Sequence, residues 1–437
     1  VFTTFAQAFR TPDLRRKMLF TLGIIAVFRL GSVIPTPGIS YSAVQACVAS
    51  VKTSGVYQLV NLFSGGALLQ LSIFALGIMP YITASIIIQL LTVVIPRFEA
   101  LQKEGQSGTA RLTQYTRYLT IGLALLQSTA LVAVARRPGA LFGSTCTSQL
   151  VPNSSLWVLV TMVATMTAGT AVIMWLGENI TDRGVGNGMS ILIFTSIIAR
   201  FPTAVQSIYA GRSFIVPGMV ALVGIVLITL VVFIEQAQRR IPVQYAKRMV
   251  GRRMYGGTST YLPLKVNMAG VIPVIFASSL LYIPALLVNV TGHSNDVHGW
   301  APWVQRNLNQ GAHPLYILMY FGLIVFFTFF YVAITFNPDD VADNMKQYGG
   351  FIPGIRAGKP TAQYLDYVLT RLTFPGSFYL AFIAVLPIIG VGLLSGSSTT
   401  SFPFGGTSLL IMVGVGLDTV KQIESQLQQR HYDGFLR

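Results

Sequence analysis

Apolar residues run along this chain in blocks too long for the alternation of a half-buried strand and too uniform for the one-sided stripe of a soluble helix. A helix needs about 20 mostly apolar residues to cross a bilayer. Blocks of that kind occupy 18–34, 72–95, 119–135, 156–177, 189–208, 214–234, 266–290, 314–336, 372–394 and 402–417. They predict an all-α membrane protein with ten transmembrane helices. The fifth block is interrupted by Arg200 and Pro202, so its outer end is expected to be short.

A further apolar stretch, about 57–71, is too short to cross, carries Asn61, Ser64, Gly65, Gly66 and Gln70, and runs into Ser72 without a loop. Two readings stay open from these residues alone. One is a re-entrant segment, tolerated at membrane depth only inside protein or beside water. The other is a helix lying flat in the outer interface. The ten blocks divide into halves of five, 1–212 and 213–437, and five being odd, the halves are inverted relative to each other. Such architectures place a functional path at the interface of the halves, here around a central pore.

Charge orients the chain. Charged residues make up 10% of the 437, against about 25% in soluble domains. A net charge of +16 would suit a nucleic-acid or anionic surface were it not sorted by loop. With a cytoplasmic N-terminus, 23 of the 30 lysines and arginines fall in cytoplasmic segments and six in outer loops, Arg200 among these six. The excess belongs on the cytoplasmic side, so both termini are expected there. Arg29 alone lies inside a span, four to five residues from its outer end. Snorkelling to the interface is expected of it, with a structural pairing as the alternative. Cys47 and Cys146 both fall outside, where a bridge is chemically allowed.

Little in the chain suggests catalysis or metal binding. The four histidines, His293, His298, His313 and His431, fall in loops or at a span end and form no HExxH pair. Gly184, Gly186 and Gly188 follow no strand, and position 189 is methionine, so they read as a tight turn rather than a phosphate loop. No span holds a pair of carboxylates, which argues against a proton-coupled transporter. Prolines and glycines within spans, including Pro80, Pro273, Pro284 and Pro387, allow kinks and close helix approach.

Six segments carry a family resemblance: GIMPYITASIIIQLL from Gly77, WLGENITDRGVGNGMS from Trp175, PVQYAKRMVGRR from Pro242, LPLKVNMAGVIPVIFASS from Leu262, FNPDDVADNMKQYGGFIPGIRAG from Phe336 and PFGGTSLLIMVGVGLD from Pro403. In this order, and nearly end to end, the chain resembles the SecY family, pore subunits of protein-conducting channels. The resemblance implies a channel, not an enzyme, for unfolded preproteins in a bacterial plasma membrane, with hydrophobic segments released sideways into lipid. It implies a waist of aliphatic side chains at Ile82, Ile86, Met189, Ile193, Ile275 and Ile411. Branched apolar side chains exclude water and ions when the pore is empty yet yield to a sliding peptide. Met189 departs from the family's aliphatic pattern, and its flexible thioether would loosen the seal.

The resemblance further implies a plug containing Asn61, Phe63, Ser64, Gly65, Gly66, Leu68 and Leu71, and a lateral gate whose polar cluster is Thr92, Gln127 and Asn267. Two long cytoplasmic loops, 235–265 and 337–371, resemble docking loops for the ribosome or the motor SecA. Arg239, Arg240, Lys247, Arg248, Arg252, Arg253 and Arg356 are the candidate contacts. SecE and SecG are the implied companion subunits; signal peptides, nascent chains and membrane lipid are the implied ligands; no cofactor, metal or small-molecule substrate is implied. Two other classes set the contrast: a small-solute transporter would need a polar midplane pocket, and an intramembrane enzyme a catalytic dyad that the spans lack.

Overall fold

The computed structural model describes residues 9, 11–50, 64–136, 149–153, 155–209, 215–245, 248–250, 253–255, 259–291, 300–308, 313–395 and 406–433. It is mostly helical. The amino-terminal half contributes α1 (Pro12–Val33), α2 (Tyr41–Ser50), α3 (Met79–Val94), α4 (Pro96–Lys103), α5 (Gln106–Ala135), α6 (Leu156–Arg183) and α7 (Gly188–Tyr209). The carboxy-terminal half contributes α8 (Ile215–Gln236), α9 (Ile272–Thr291), α10 (Trp300–Asn307), α11 (Pro314–Thr335), α12 (Pro338–Gln347), α13 (Lys359–Ser395) and α14 (Gly406–Asp433).

Among the described residues, four helical segments are long and apolar enough to cross a bilayer: Gln106–Ala135, Leu156–Arg183, Pro314–Gln347 and Lys359–Pro387. A fifth follows if α3 and α4, bent by 100° at their junction, count as one span. Gly188–Pro202, Ala221–Gln236 and Ile272–Leu281 are shorter apolar helices. Two of the predicted blocks are thus only partly helical, for local reasons. Block 72–95 is a run of turns up to Ile78, with Gly77 at φ +56°, and becomes a helix only where Pro80 presets the first turn. Block 266–290 has Gly270 at φ +60° and starts its helix at Ile272, just before Pro273. Block 189–208 errs the other way, because α7 continues through Pro202 to Tyr209 and takes Arg200 out of the outer loop.

The all-α expectation also fails in segments 235–265 and 337–371. Residues read as a loop form β1 (Gln238–Tyr245), β2 (Arg248–Val250), β3 (Arg253–Tyr255) and β4 (Ser259–Lys265). Strands β1 and β4 pair antiparallel from Gln238↔Lys265 to Gln244↔Ser259, and β2 pairs with β3. The free edge of β1 takes β5 (Gly350–Phe351), through Gln244↔Phe351 and Tyr245↔Gly350. The two loops are therefore one module. Alternation along β1 turns Ile241 and Val243 inward, and Ile241 joins Leu264, Ile352, Leu365 and Val368 in a buried cluster. The last two lie on the amino-terminal turns of α13, so the sheet is seated on a helix that continues as an apolar segment. Periodicity hid this sheet because each strand is short and Pro242 and Pro263 fall within it.

Other local signals agree with their structural roles. Asn337 accepts from the Asp339 amide as the N-cap of α12, and His313 does the same for Leu315 at the start of α11. Arg117 on α5 grips both carboxylate oxygens of Glu178 on α6, at 2.8 and 2.9 Å.

Leu365 is fully buried where the sheet meets α13. Leu365→Ala is expected to destabilise this sheet module by about 2–5 kcal/mol. Limited proteolysis of the detergent-solubilised protein, with cleavage rising within 235–265 and 337–371, would register it.

Candidate functional site

The halves meet along two seams. On one side α9 packs against both α3 and α5; on the other α7 packs against α14 and α8. Between the seams lies the largest apolar cluster. Spacing by four residues puts Ile82 and Ile86 on one face of α3, and Met189 and Ile193 on one face of α7. Ile275 comes from the first turn of α9 and Ile411 from α14. Ile82, Ile86, Ile193, Ile275 and Ile411 are buried in this one cluster and Met189 packs against it partly exposed. The Met189 sulfur is turned onto Gly177 of α6, where a Cβ would come within 2.6 Å of it. An added methyl there would displace the thioether.

Of the plug candidates, Ser64, Gly65, Gly66, Leu68 and Leu71 are described and buried; Asn61 and Phe63 lie outside the described residues. The described part of the segment, residues 64–71, is a chain of turns and not a helix. Gly65 and Gly66 have φ of +65° and +96°, and Leu71 has φ +47°, a conformation a branched-chain residue holds only when its surroundings impose it. They do impose it. The Leu71 carbonyl accepts from both the amide and the Oγ1 of Thr36, at 3.1 and 2.8 Å. The Ile73 amide donates to the Ile34 carbonyl at 3.0 Å, and the Leu68 amide donates to Ser64 Oγ at 3.1 Å. Leu68 and Leu71 pack with Val44, Cys47, Leu131 and Met162, in a second cluster distinct from that of the isoleucines.

Arg29 does not snorkel. Its Nη1 donates to the Gly65 carbonyl at 3.0 Å, so the structural pairing, the lesser sequence reading, is the one found. Cys47 is disulfide-bonded, and Cys146, the only other cysteine of the sequence, lies outside the described residues.

Thr92 is buried on α3, with its Oγ1 donating to the Gln89 carbonyl, and Gln127 is half-buried on α5. Asn267 is buried just before α9. Its Nδ2 donates to Glu235 Oε1 at 2.5 Å and to the Gly270 carbonyl at 3.1 Å. Sequence reasoning missed Glu235 as its partner, since the two are 32 residues apart and the pairing of β1 with β4, closed by the Val266 amide on the Ala237 carbonyl, is what brings them together. Arg239 and Arg240 are exposed on β1 and Arg356 is exposed after β5. Arg248 and Arg253 lie on β2 and β3, whereas Lys247 and Arg252 fall outside the described residues. No cluster of three or more histidine, cysteine or carboxylate side chains able to hold a metal occurs among the described residues.

Several long apolar helices packed around one large apolar cluster, beside a segment of buried turns, place the chain in the class of helical membrane proteins. The SecY family model matches residues 72–420. The protein translocase subunit SecY of Streptomyces scabiei is 67% identical over the full length of both chains. Among solved structures, one of a SecY protein whose plug domain is described as stabilising the closed state and maintaining a membrane seal aligns with TM-score 0.61 at 17% identity, covering 94% of this chain and 91% of that one. Sec61 from a canine ribosome–channel complex aligns with TM-score 0.62 at 16% identity, again covering 94% and 91%. The chain belongs to the SecY family, whose members are multi-pass membrane subunits of a protein translocase and not enzymes.

Proposed function

We propose that the chain forms the protein-conducting pore of a translocon in a bacterial plasma membrane, with ten spans in two inverted halves and both termini cytoplasmic. Ile82, Ile86, Met189, Ile193, Ile275 and Ile411 form its seal, and residues about 57–71 are the plug. The observation that carries this reading is the convergence of five isoleucines from α3, α7, α9 and α14, drawn from both halves, into one buried apolar cluster. Such a cluster keeps the path dry while the channel rests and offers a sliding peptide no polar partner to bind. The seam of α9 with α3 and α5 is the lateral gate, with Thr92, Gln127 and Asn267 near it. Interhelical hydrogen bonds in membranes average about 0.6 kcal/mol, weak enough for an apolar signal helix to replace.

The same reading assigns the joined cytoplasmic module to docking. Its exposed Arg239, Arg240 and Arg356 present guanidinium forks to the ribosome or to SecA, and SecE and SecG are the companion subunits. A related structure supports the ribosome, since Sec61 was solved in a ribosome–channel complex. No phosphate-loop motif is read in the sequence, so the motor or the membrane potential supplies the energy.

Proteoliposomes holding the full chain with SecE and SecG should import an unfolded preprotein when SecA and ATP are added; uptake of a small solute without it would favour a transporter instead. Replacing Ile411 with Asn puts an unpaired amide into the waist at a cost of about 1–3 kcal/mol to the closed state. Preproteins with defective signal sequences are then expected to be exported better, and equal export at equal abundance would remove Ile411 from the seal. Arg356→Glu should leave the protein inserted yet cut SecA-driven import more than tenfold, because opposing a buried interfacial charge typically costs about 2–5 kcal/mol. Normal import by this variant would discard the docking role of Arg356.

A further inference from the structure

The turn Gly65–Gly66 lies between two arginines from different helices. Arg29 on α1 donates from Nη1 to the Gly65 carbonyl at 3.0 Å and reaches Ser32 Oγ at 3.5 Å. Arg200 on α7 covers the next residue: a Cβ on Gly66 would stand 2.8 Å from its Nη2 and 3.1 Å from its Nε. The backbone of α7 itself closes the third side, since a Cβ on Gly65 would stand 3.2 Å from the Ser196 Cα. The positive φ of both residues favours glycine here, and the close approach of the α7 backbone adds to that at Gly65.

Each partner in this contact answers a cost carried by the other. A turn enclosed among apolar helices leaves carbonyls without a helical partner, and an orphan there is expensive. A guanidinium inside a span is expensive as well unless it is paired or hydrogen-bonded. A charged donor on a carbonyl settles both and is stronger than a neutral bond. The bond is made to main chain, so it does not depend on the plug's side chains; it depends on where the turn sits.

We propose that Arg29 and Arg200 are positioning residues that latch the Gly65–Gly66 turn against α7 while the channel is closed. The latch rests on the plug reading given above. It restrains the amino-terminal end of the described segment, while Thr36 anchors the other end at Leu71, so the turn is released by letting go of one carbonyl. Water entering the opening path, or the main-chain carbonyls of a translocating polypeptide, then supplies the acceptor that Arg29 loses.

The test is the resting ion leak of the full chain reconstituted with its companion subunits, compared at equal abundance for the parent, Arg29→Gln, Arg29→Lys, Arg200→Gln and a deletion of residues 61–70. A bond to a charged donor is worth about 1.5–3 kcal/mol, or roughly tenfold to a hundredfold in the open population. Arg29→Gln should raise the leak about tenfold or more, Arg200→Gln, which uncovers Gly66, should raise it as well, and Arg29→Lys, which keeps a charged donor, should raise it less than Arg29→Gln. Neither glutamine variant should add leak once residues 61–70 are deleted. A leaking deletion beside tight Arg29→Gln and Arg200→Gln channels would overturn the latch and spare the plug reading. So would glutamine variants that leak as much again on the deleted background, since they would act elsewhere. A deletion that does not leak would remove the plug reading and the latch with it. Should Arg29→Gln fail to accumulate, Arg200→Gln carries the same decision.

Discussion

Inside a bilayer no water pairs a stray amide or carbonyl, so irregular backbone survives only where the protein supplies every partner. Residues 64–78 form turns among the helices, and much of the surrounding structure serves them. The loop after α1 offers Thr36 and the Ile34 carbonyl, α1 sends Arg29, and Ser64 folds back on Leu68. With those groups in place the segment is buried without being regular.

The same constraint separates the two apolar clusters. Isoleucines from α3, α7, α9 and α14 meet in one cluster, whereas Leu68 and Leu71 pack with Val44, Leu131 and Met162 in another. The proposed seal and the proposed plug thus draw on different side chains, held by different helices. Only the seams of α9 with α3 and α5, and of α7 with α8 and α14, tie the halves together among the stronger helix contacts. The sheet is seated on α13, so its exposed arginines are tied to a helix of the carboxy-terminal half.

Hydropathy and charge alone determined that the chain is a helical membrane protein, because apolar blocks of about 20 residues and a sorted excess of lysine and arginine have few other physical uses. The helices largely began and ended where composition changed, and failed to do so where one glycine or proline outweighed a run of apolar neighbours, as at Gly77 and Gly270. The resemblance pointed to the waist residues, yet no periodicity distinguishes Ile275 from any other isoleucine facing lipid or a neighbouring helix. Convergence from four helices is a tertiary fact. So is the pairing of β1 with β5 across more than a hundred residues, because a strand of two residues has no pattern to read. Arg29 shows the division most clearly. Its sequence position defined the cost of a charge within a span, and snorkelling was the simplest way to meet it. The carbonyl that meets it instead belongs to Gly65, 36 residues on, and only the folding of that turn back against α1 and α7 could place it there.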